Sequence, residues 1–295
     1  QHSTVARDLF IAVLEHYGAD VTPLGFSEEF IPVDTEAVAP ETVELLQGWT
    51  GEHGFDAIIS ADGDADRPLV ADETGMPLRG DLIGLMTANF LGAKVVVTPV
   101  TSNSGIEKNG DFEVIRTRVG SPYVIAGMEK AIAEGKDGVM GFEANGGLLT
   151  ASPFRPAGDT IVPLPTRDCF LPILSALYLA HRDKRKLSEL AKAYSLPVAD
   201  ADRIKNFEQA RSAALTTASS WIGSSAHVEY AMTPPGASSS SPRRRIASCV
   251  AWQRKPARTP HLCIFSGLLR SVPSPEHGTS HNTRSKSREE GKSCA

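Results

Sequence analysis

Three aspartates spaced two apart, Asp62, Asp64 and Asp66, stand directly behind the apolar run Ala57-Ile58-Ile59 in the stretch IISADGDADRPLVADETG, 58–75. In an extended or tightly looped backbone such spacing turns several carboxylate oxygens toward one point. Crowded anions repel unless a hard cation such as Mg²⁺ or Ca²⁺ neutralises them, so the run reads as a divalent-metal site. The spacing also fits a calcium-binding helix-loop-helix loop with Glu73 in its twelfth position. That loop needs a glycine at its sixth position for the sharp turn, and Arg67 stands there. Strands rather than helices flank the run, since Pro68-Leu69-Val70 follows and Asp72-Glu73-Thr74-Gly75 closes a hairpin. A solvated acidic turn is the other plain reading, but loops seldom set three alternating Asp behind a buried strand.

A second polar cluster, Glu143-Ala144-Asn145-Gly146-Gly147, follows the strand pattern 139–142. It offers a carboxylate, a carboxamide and glycines that permit close backbone approach, a set suited to sugar hydroxyls. Asn-Gly is equally the strongest short hairpin signal, so a plain β-turn competes with that reading.

The elements that must position these clusters follow from periodicity. Val5, Leu9, Phe10, Val13, Leu14 and Tyr17 share one helical face, with Ser3 or Thr4 to cap it and Gly18 to stop it. A short strand is expected over 19–24, then a helix opened by Pro40 with Val43, Leu46 and Trp49 inward, then the strand 55–60 that delivers the aspartates. Past Gly80 the rhythm repeats: Asp81 caps a helix to Leu91, strands run 94–98 and 112–117, and Ser121-Pro122 opens a helix to Ala133. Helices are expected again over 168–181 and 186–193, after a polar, proline-containing connection over 159–167. Alternating helices and strands predict doubly wound α/β units, in which ligands bind beyond the carboxyl ends of strands. Both polar clusters occupy that position.

The D-G-D-A-D-R run, the hairpin after it and Gly80-Asp81 opening a helix resemble the metal loop of the α-D-phosphohexomutases, the family of phosphomannomutase and phosphoglucomutase. The segment 141–147 resembles that family's G-E-x-S-G-H sugar-gripping loop, with Glu143 matching the Glu and Asn145 the Ser. An extra Phe142 precedes the Glu, and Gly147 stands where many members carry His. Arg118-Val119-Gly120 resembles the T-x-V-G turn. The likeness covers about 1–202, the second and third of four domains. It implies tandem doubly wound α/β domains of the phosphohexomutase type and Mg²⁺ on Asp62, Asp64 and Asp66 holding a phosphoserine, with Arg67 beside it in a catalytic role. It further implies a hexose phosphate, of mannose or glucose, held by Glu143, Asn145 and Gly146 while phosphate moves between C1 and C6.

No counterpart of the family's T-A-S-H-N-P phosphoserine loop precedes Asp62. Gly278-Thr279-Ser280-His281-Asn282-Thr283 is a superficial likeness in the wrong order and without the proline, so Ser280 is not read as the nucleophile. No R-P-S-G phosphate loop is found either. Little mutase activity is therefore expected of this exact chain, and the competing class is a non-catalytic metal or sugar-phosphate binding fragment, or the product of a damaged gene.

Composition divides the 295 residues further. Residues 1–232 carry 19 basic and 32 acidic side chains, net −13, whereas 233–295 carry 11 and 3, net +8. The expected organisation is an α/β domain with the metal loop over 1–79, one with the sugar loop over 80–200, a remnant of a fourth domain over 201–232, and a disordered or aberrant basic tail over 233–295. The acidic balance gives no electrostatic reason for nucleic acid or anionic membrane as partner. Cys169 stands alone, and Cys249, Cys263 and Cys294 lack metal-ligand spacing. With no apolar run near eighteen residues and no secretory pattern, a cytoplasmic protein is expected. Gln1 in place of Met suggests that the start of the gene product lies upstream.

Overall fold

Val95-Val96-Val97 is a β-branched run without polar alternation, the pattern of a strand covered on both faces. A computed structural model of the chain describes residues 4–156 and 158–201 together with the backbone of 250–253. In chain order these residues form α1 Arg7–His16, β1 Asp20–Pro23, α2 Pro40–His53, β2 Ala57–Ala61, β3 Pro68–Ala71 and α3 Gly80–Leu91. Then come β4 Val95–Pro99, β5 Glu113–Thr117, α4 Ser121–Ala133, β6 Val139–Phe142, β7 Leu148–Thr150, β8 Leu164–Asp168, α5 Phe170–Asp183, α6 Leu187–Ala193 and β9 Val250–Gln253.

The valine run is the middle of a five-stranded sheet ordered β5-β4-β6-β7-β8, parallel among the first three strands and antiparallel among the last three. Strand alternation divides its side chains between two helix layers. Val95, Val97, Val139 and Leu149 pack with Val124, Met128 and Ala131 of α4. Val96, Met140, Phe142 and Leu148 face the other way, into a cluster shared with α3 and α5. Ten of the twelve residues of α3 are buried. Proline starts α2 and α4 near their first positions, where its missing N–H costs nothing, and Gly54 and Gly92 end α2 and α3 in the left-handed conformation.

The sheet around the aspartates differs from a doubly wound one. Its order is β1-β9-β2-β3, with every pairing antiparallel. The six residues between β2 and β3 are too few for a crossover, so the chain can only turn straight back. β9, at 250–253, lies within the stretch expected to be mostly unstructured, and its backbone pairs with β1 and β2. The rest of that tail, the expected fourth-domain remnant beyond 201 and Ser280 lie outside the described residues. The buried cluster is continuous across residues 79 and 80, joining Phe10, Ile59 and Val70 to Ile83, Phe142 and Leu177.

Two local expectations are corrected. α1 begins behind Ala6, with Thr4 two residues further out and buried. Asp81 is the second residue of α3 rather than its cap, because its carboxylate is taken by Arg79 and by the Asn103 N–H. Among the described residues no helix is long and apolar enough to cross a membrane.

Candidate functional site

The acidic loop leaves the carboxyl end of β2 and is folded around its own first aspartate. Asp62 Oδ1 accepts the backbone N–H groups of Asp66 and Arg67 at 3.2 and 3.1 Å, and Oδ2 accepts Arg67 Nε at 2.5 Å. Ala65 takes a left-handed backbone at φ 59 to make this turn. Asp62 is buried, Asp66 half-buried and Asp64 exposed, and one carboxylate oxygen from each lies within 4.8 Å of the others. Burial pushes the Asp62 carboxyl up to about 6; Arg67's charge and its N–H pull the other way, while the charge of Asp66 adds to the rise. Burial acts to lower Arg67, but the charge and hydrogen bond of Asp62, with the charges of Asp66 and Asp64, outweigh it and raise the guanidinium.

These residues fit a hard divalent cation. Among the described residues Asp66 Oδ1 is buried with no hydrogen-bond partner, and Arg67 Nε lies 3.6 Å from it, beyond hydrogen-bond reach. A buried carboxylate oxygen left without a donor is costly unless something else satisfies it, and three carboxylates within ligand distance are the donor set that Mg²⁺ or Ca²⁺ takes. Glu73, the twelfth residue of the rejected calcium loop, instead accepts from the N–H and hydroxyl of Ser188 on α6. A pocket lined by Val5, Phe30, Pro32, Asp62, Asp64 and Arg67 opens on the loop.

The Glu143 cluster sits at the carboxyl end of β6 and is the hairpin turn to β7. It is therefore both the turn and the candidate site. Gly146 N–H donates to Glu143 O and Glu143 N–H to Gly147 O, while Asn145 Oδ1 accepts Gly147 N–H at 3.0 Å. Gly146 spends its amide on the turn, so what it supplies is clearance: at φ 90, a Cβ there would meet Pro68 Cγ at 2.9 Å. Gly80 at the start of α3 is tighter still, with a Cβ only 2.2 Å from Gly146 N. Thr35 Oγ1 donates to Asn145 O at 2.9 Å from 110 residues away.

One arginine joins the two clusters. Arg167 Nη2 lies 2.5 Å from Asp66 Oδ2 and Nη1 lies 3.5 Å from Glu143 Oε2. The structure thus brings Asp62, Asp66, Arg67 and Glu143 to one place, with Asp64 at its exposed edge. Sequence reasoning passed over Arg167 and Thr35. For Arg167 a signal existed: Asp168 accepts the Phe170 and Leu171 N–H groups at the start of α5, and an Asp just ahead of an apolar helical run marks a strand-to-helix junction where ligands gather. Gly147, where the resemblance favours His, leaves room for the Arg167 stem, since a Cβ there would lie 2.8 Å from Arg167 Cδ. Arg118 lies over the Tyr123 ring, on the α4 side of the turn 118–120.

Comparison with known proteins decides the relationship for the second half of this scaffold. Residues 79–196 match the family described as phosphoglucomutase/phosphomannomutase, alpha/beta/alpha domain III. This segment belongs to that family. A phosphomannomutase of Sinorhizobium fredii is 56% identical over 215 residues, covering 73% of this chain and 45% of that protein. A phosphomannomutase of Salmonella muenchen is 44% identical over 193 residues, 65% of this chain and 40% of that protein. A phosphoglucosamine mutase of Geotalea daltonii is 30% identical over 196 residues, 63% and 40% respectively. The chain spans less than half the length of these relatives. The phosphoglucomutase/phosphomannomutase segment holds the Glu143 hairpin and Arg167, and the aspartate loop lies just ahead of it.

Proposed function

We propose that the chain carries the metal-binding and sugar-binding parts of a phosphohexomutase, an isomerase that moves phosphate between C1 and C6 of a mannose or glucose phosphate. The observation that carries this reading is the Arg167 bridge, which sets the aspartate loop and the Glu143 hairpin of a phosphoglucomutase/phosphomannomutase domain against each other at one point.

Asp62, Asp64 and Asp66 would hold Mg²⁺, which when bound supplies positive charge to a phosphoryl group carried by a phosphoserine. Asp62 also fixes the loop through its backbone contacts, so the other two carboxylates are presented without further ordering. Arg67, locked against Asp62, adds a permanent guanidinium beside the reacting oxygens, where phosphoryl transfer needs positioned positive charge. The Glu143 carboxylate accepts from sugar hydroxyls, and Asn145 completes the rim of the hairpin. An acceptor pair on a rigid turn can hold either orientation of a hexose bisphosphate, which lets C1 and C6 be presented in turn.

The test is calorimetric titration of the chain with mannose 1-phosphate, mannose 6-phosphate and glucose 1-phosphate, with and without Mg²⁺, beside a coupled mutase assay primed with glucose 1,6-bisphosphate. Mg²⁺-dependent binding that Glu143→Gln weakens at least tenfold is expected, the scale of one lost charged contact. Binding that ignores both Mg²⁺ and Glu143 overturns the reading.

A further inference from the structure

We propose that Arg167 is a positioning residue that serves as a resident counter-cation: it holds Asp66 while the aspartate cluster is without metal and turns to Glu143 when a divalent cation takes Asp66. Occupancy of the metal loop is thereby coupled to the hairpin. This rests on the reading of Asp62, Asp64 and Asp66 as a metal site.

Geometry sets up the exchange. Arg167 is the next-to-last residue of β8, which pairs with β7, and Asp168 stands opposite Leu148. Its stem runs across Gly147, where a Cβ would come within 2.8 Å of Cδ and 3.2 Å of Cγ, so the aliphatic part is confined and only the guanidinium end has freedom. That end is planar, permanently charged and carries five donors, enough to serve two carboxylates from one position. Its two contacts are unequal, at 2.5 Å to Asp66 and 3.5 Å to Glu143. A shift of little more than the difference between them moves the tighter contact from one loop to the other.

Charge gives the reason for the exchange. Asp62, Asp64, Asp66 and Glu143 against Arg67 and Arg167 leave a formal charge of −2, the amount one divalent cation neutralises. Arg67 cannot yield its place, because its Nε and its backbone N–H both bind Asp62. Arg167 comes from a different element and, among the described residues, pairs only with side chains of the two loops, so it is the guanidinium that can give way. The side chains of Arg167, Asp66 and Glu143 are 30%, 19% and 8% exposed, which leaves their attraction less screened than that of a surface pair. Whatever stabilises the Arg167–Glu143 contact must then favour metal, and metal must favour that contact, to the same extent.

The experiment is Mn²⁺ titration of the full chain, read from the paramagnetic resonance of free Mn²⁺, for wild type, Arg167→Met, Arg167→Lys, Glu143→Gln and Arg167→Met/Glu143→Gln, with melting curves to confirm folding. Arg167→Met is expected to bind Mn²⁺ about fivefold tighter, the scale of one partly exposed ion pair removed as competitor. Glu143→Gln is expected to weaken Mn²⁺ binding by a similar factor, and to do so less in the Arg167→Met background, because the two residues act through one exchange. Arg182→Met, which removes a charge paired with Asp183 at the end of α5, is expected to leave affinity unchanged. Should Arg167→Met melt too early to titrate, Arg167→Lys carries the test: one ammonium cannot span both carboxylates, so its affinity should lie above wild type and its coupling to Glu143 should shrink. Unchanged or weaker Mn²⁺ binding in the Arg167 variants, or an equal effect of Glu143→Gln in both backgrounds, overturns the exchange while leaving the metal site standing. Equal Mn²⁺ binding by wild type and Asp64→Asn removes the metal site itself, and the exchange with it.

Discussion

In the loop 62–67 the scaffold is a buried carboxylate: Asp62 gathers two backbone N–H groups and a guanidinium, and the turn exists because those donors converge on it. In the hairpin 143–147 the scaffold is backbone. Amide-to-carbonyl bonds close the turn, Asn145 caps it, and glycines let α3 and β3 press directly on it. The two regions meet at Arg167, yet one is held by charge and the other by space. A change of charge should therefore disturb the first and spare the second, and a change of volume should do the reverse.

Volume gives the largest expected effect. In Gly80→Val the new Cβ would fall 2.2 Å from Gly146 N and 2.6 Å from Ala144 O, both backbone atoms of the hairpin. Neither α3 nor the turn can yield cheaply, so a loss of about 3 kcal/mol is expected, at the upper end for overpacking. Urea unfolding measures it, and the Glu143 hairpin should lose its ligand while Mn²⁺ binding at the aspartates survives in the folded fraction. If the variant is as stable as wild type, the close approach of α3 to the hairpin is wrong.

Charge comes next. Asp64→Asn takes one anionic ligand from a cation that prefers charged oxygens, and Mg²⁺ affinity should fall well over tenfold, or more than about 1.4 kcal/mol. The metal-free variant should be no less stable than metal-free wild type, because Asn relieves part of the repulsion among the three aspartates. Millimolar Mg²⁺ should then raise the melting temperature of wild type more than that of the variant, through binding to the folded state alone. Equal shifts in both proteins would place the metal elsewhere.

The contrast also explains what could be read from the sequence. The clustering of Asp62, Asp64 and Asp66 was legible because it is local: six consecutive residues supply the candidate ligands, the turn and the flanking arginine. Pro40 and Ser121-Pro122 marked helix starts for the same reason. Thr35 was not legible and Arg167 was marked only indirectly, by the junction at Asp168, since each reaches the site only after a strand or loop far away in sequence has been laid beside the hairpin. Asp81 shows a local rule losing to tertiary structure. It has the type and place of a helix cap, but Arg79 and the Asn103 N–H claim its carboxylate. The antiparallel sheet around the aspartates was hidden by a similar limit. Helix-strand rhythm predicts the class, while the direction of pairing depends on the short return from β2 to β3 and on β9, which arrives from more than 180 residues away.

Thr35→Val sharpens the comparison at smaller scale by removing one polar tie from the hairpin while keeping its volume. The buried Thr35 hydroxyl donates to Asn145 O, so the substitution leaves a carbonyl without that donor and should cost about 1 kcal/mol. Chemical denaturation reads the loss, and Mn²⁺ affinity should not change. A weaker metal site in this variant would mean that the two regions are mechanically coupled through more than Arg167.

The smallest effect is expected at Asp168, next to the bridging arginine, where space and charge act on one group. Burial raises its carboxyl above the ordinary aspartate value, and the Phe170 and Leu171 N–H groups at the start of α5 oppose that rise without cancelling it. A carboxyl whose folded value lies above its unfolded one binds more protons in the folded state. Its contribution to stability is therefore complete below the unfolded value and is lost as pH rises through the folded one. Asn at this position keeps an acceptor for the helix amides and does not titrate. The stability of Asp168→Asn should accordingly gain on that of wild type as pH rises from about 4, the ordinary aspartate range, toward neutrality. The change is smaller than any of the three effects above and readable only as a difference between the two proteins melted side by side. If wild type instead gains on the variant over that range, the helix amides outweigh burial, and charge rather than space governs this corner of the site as well.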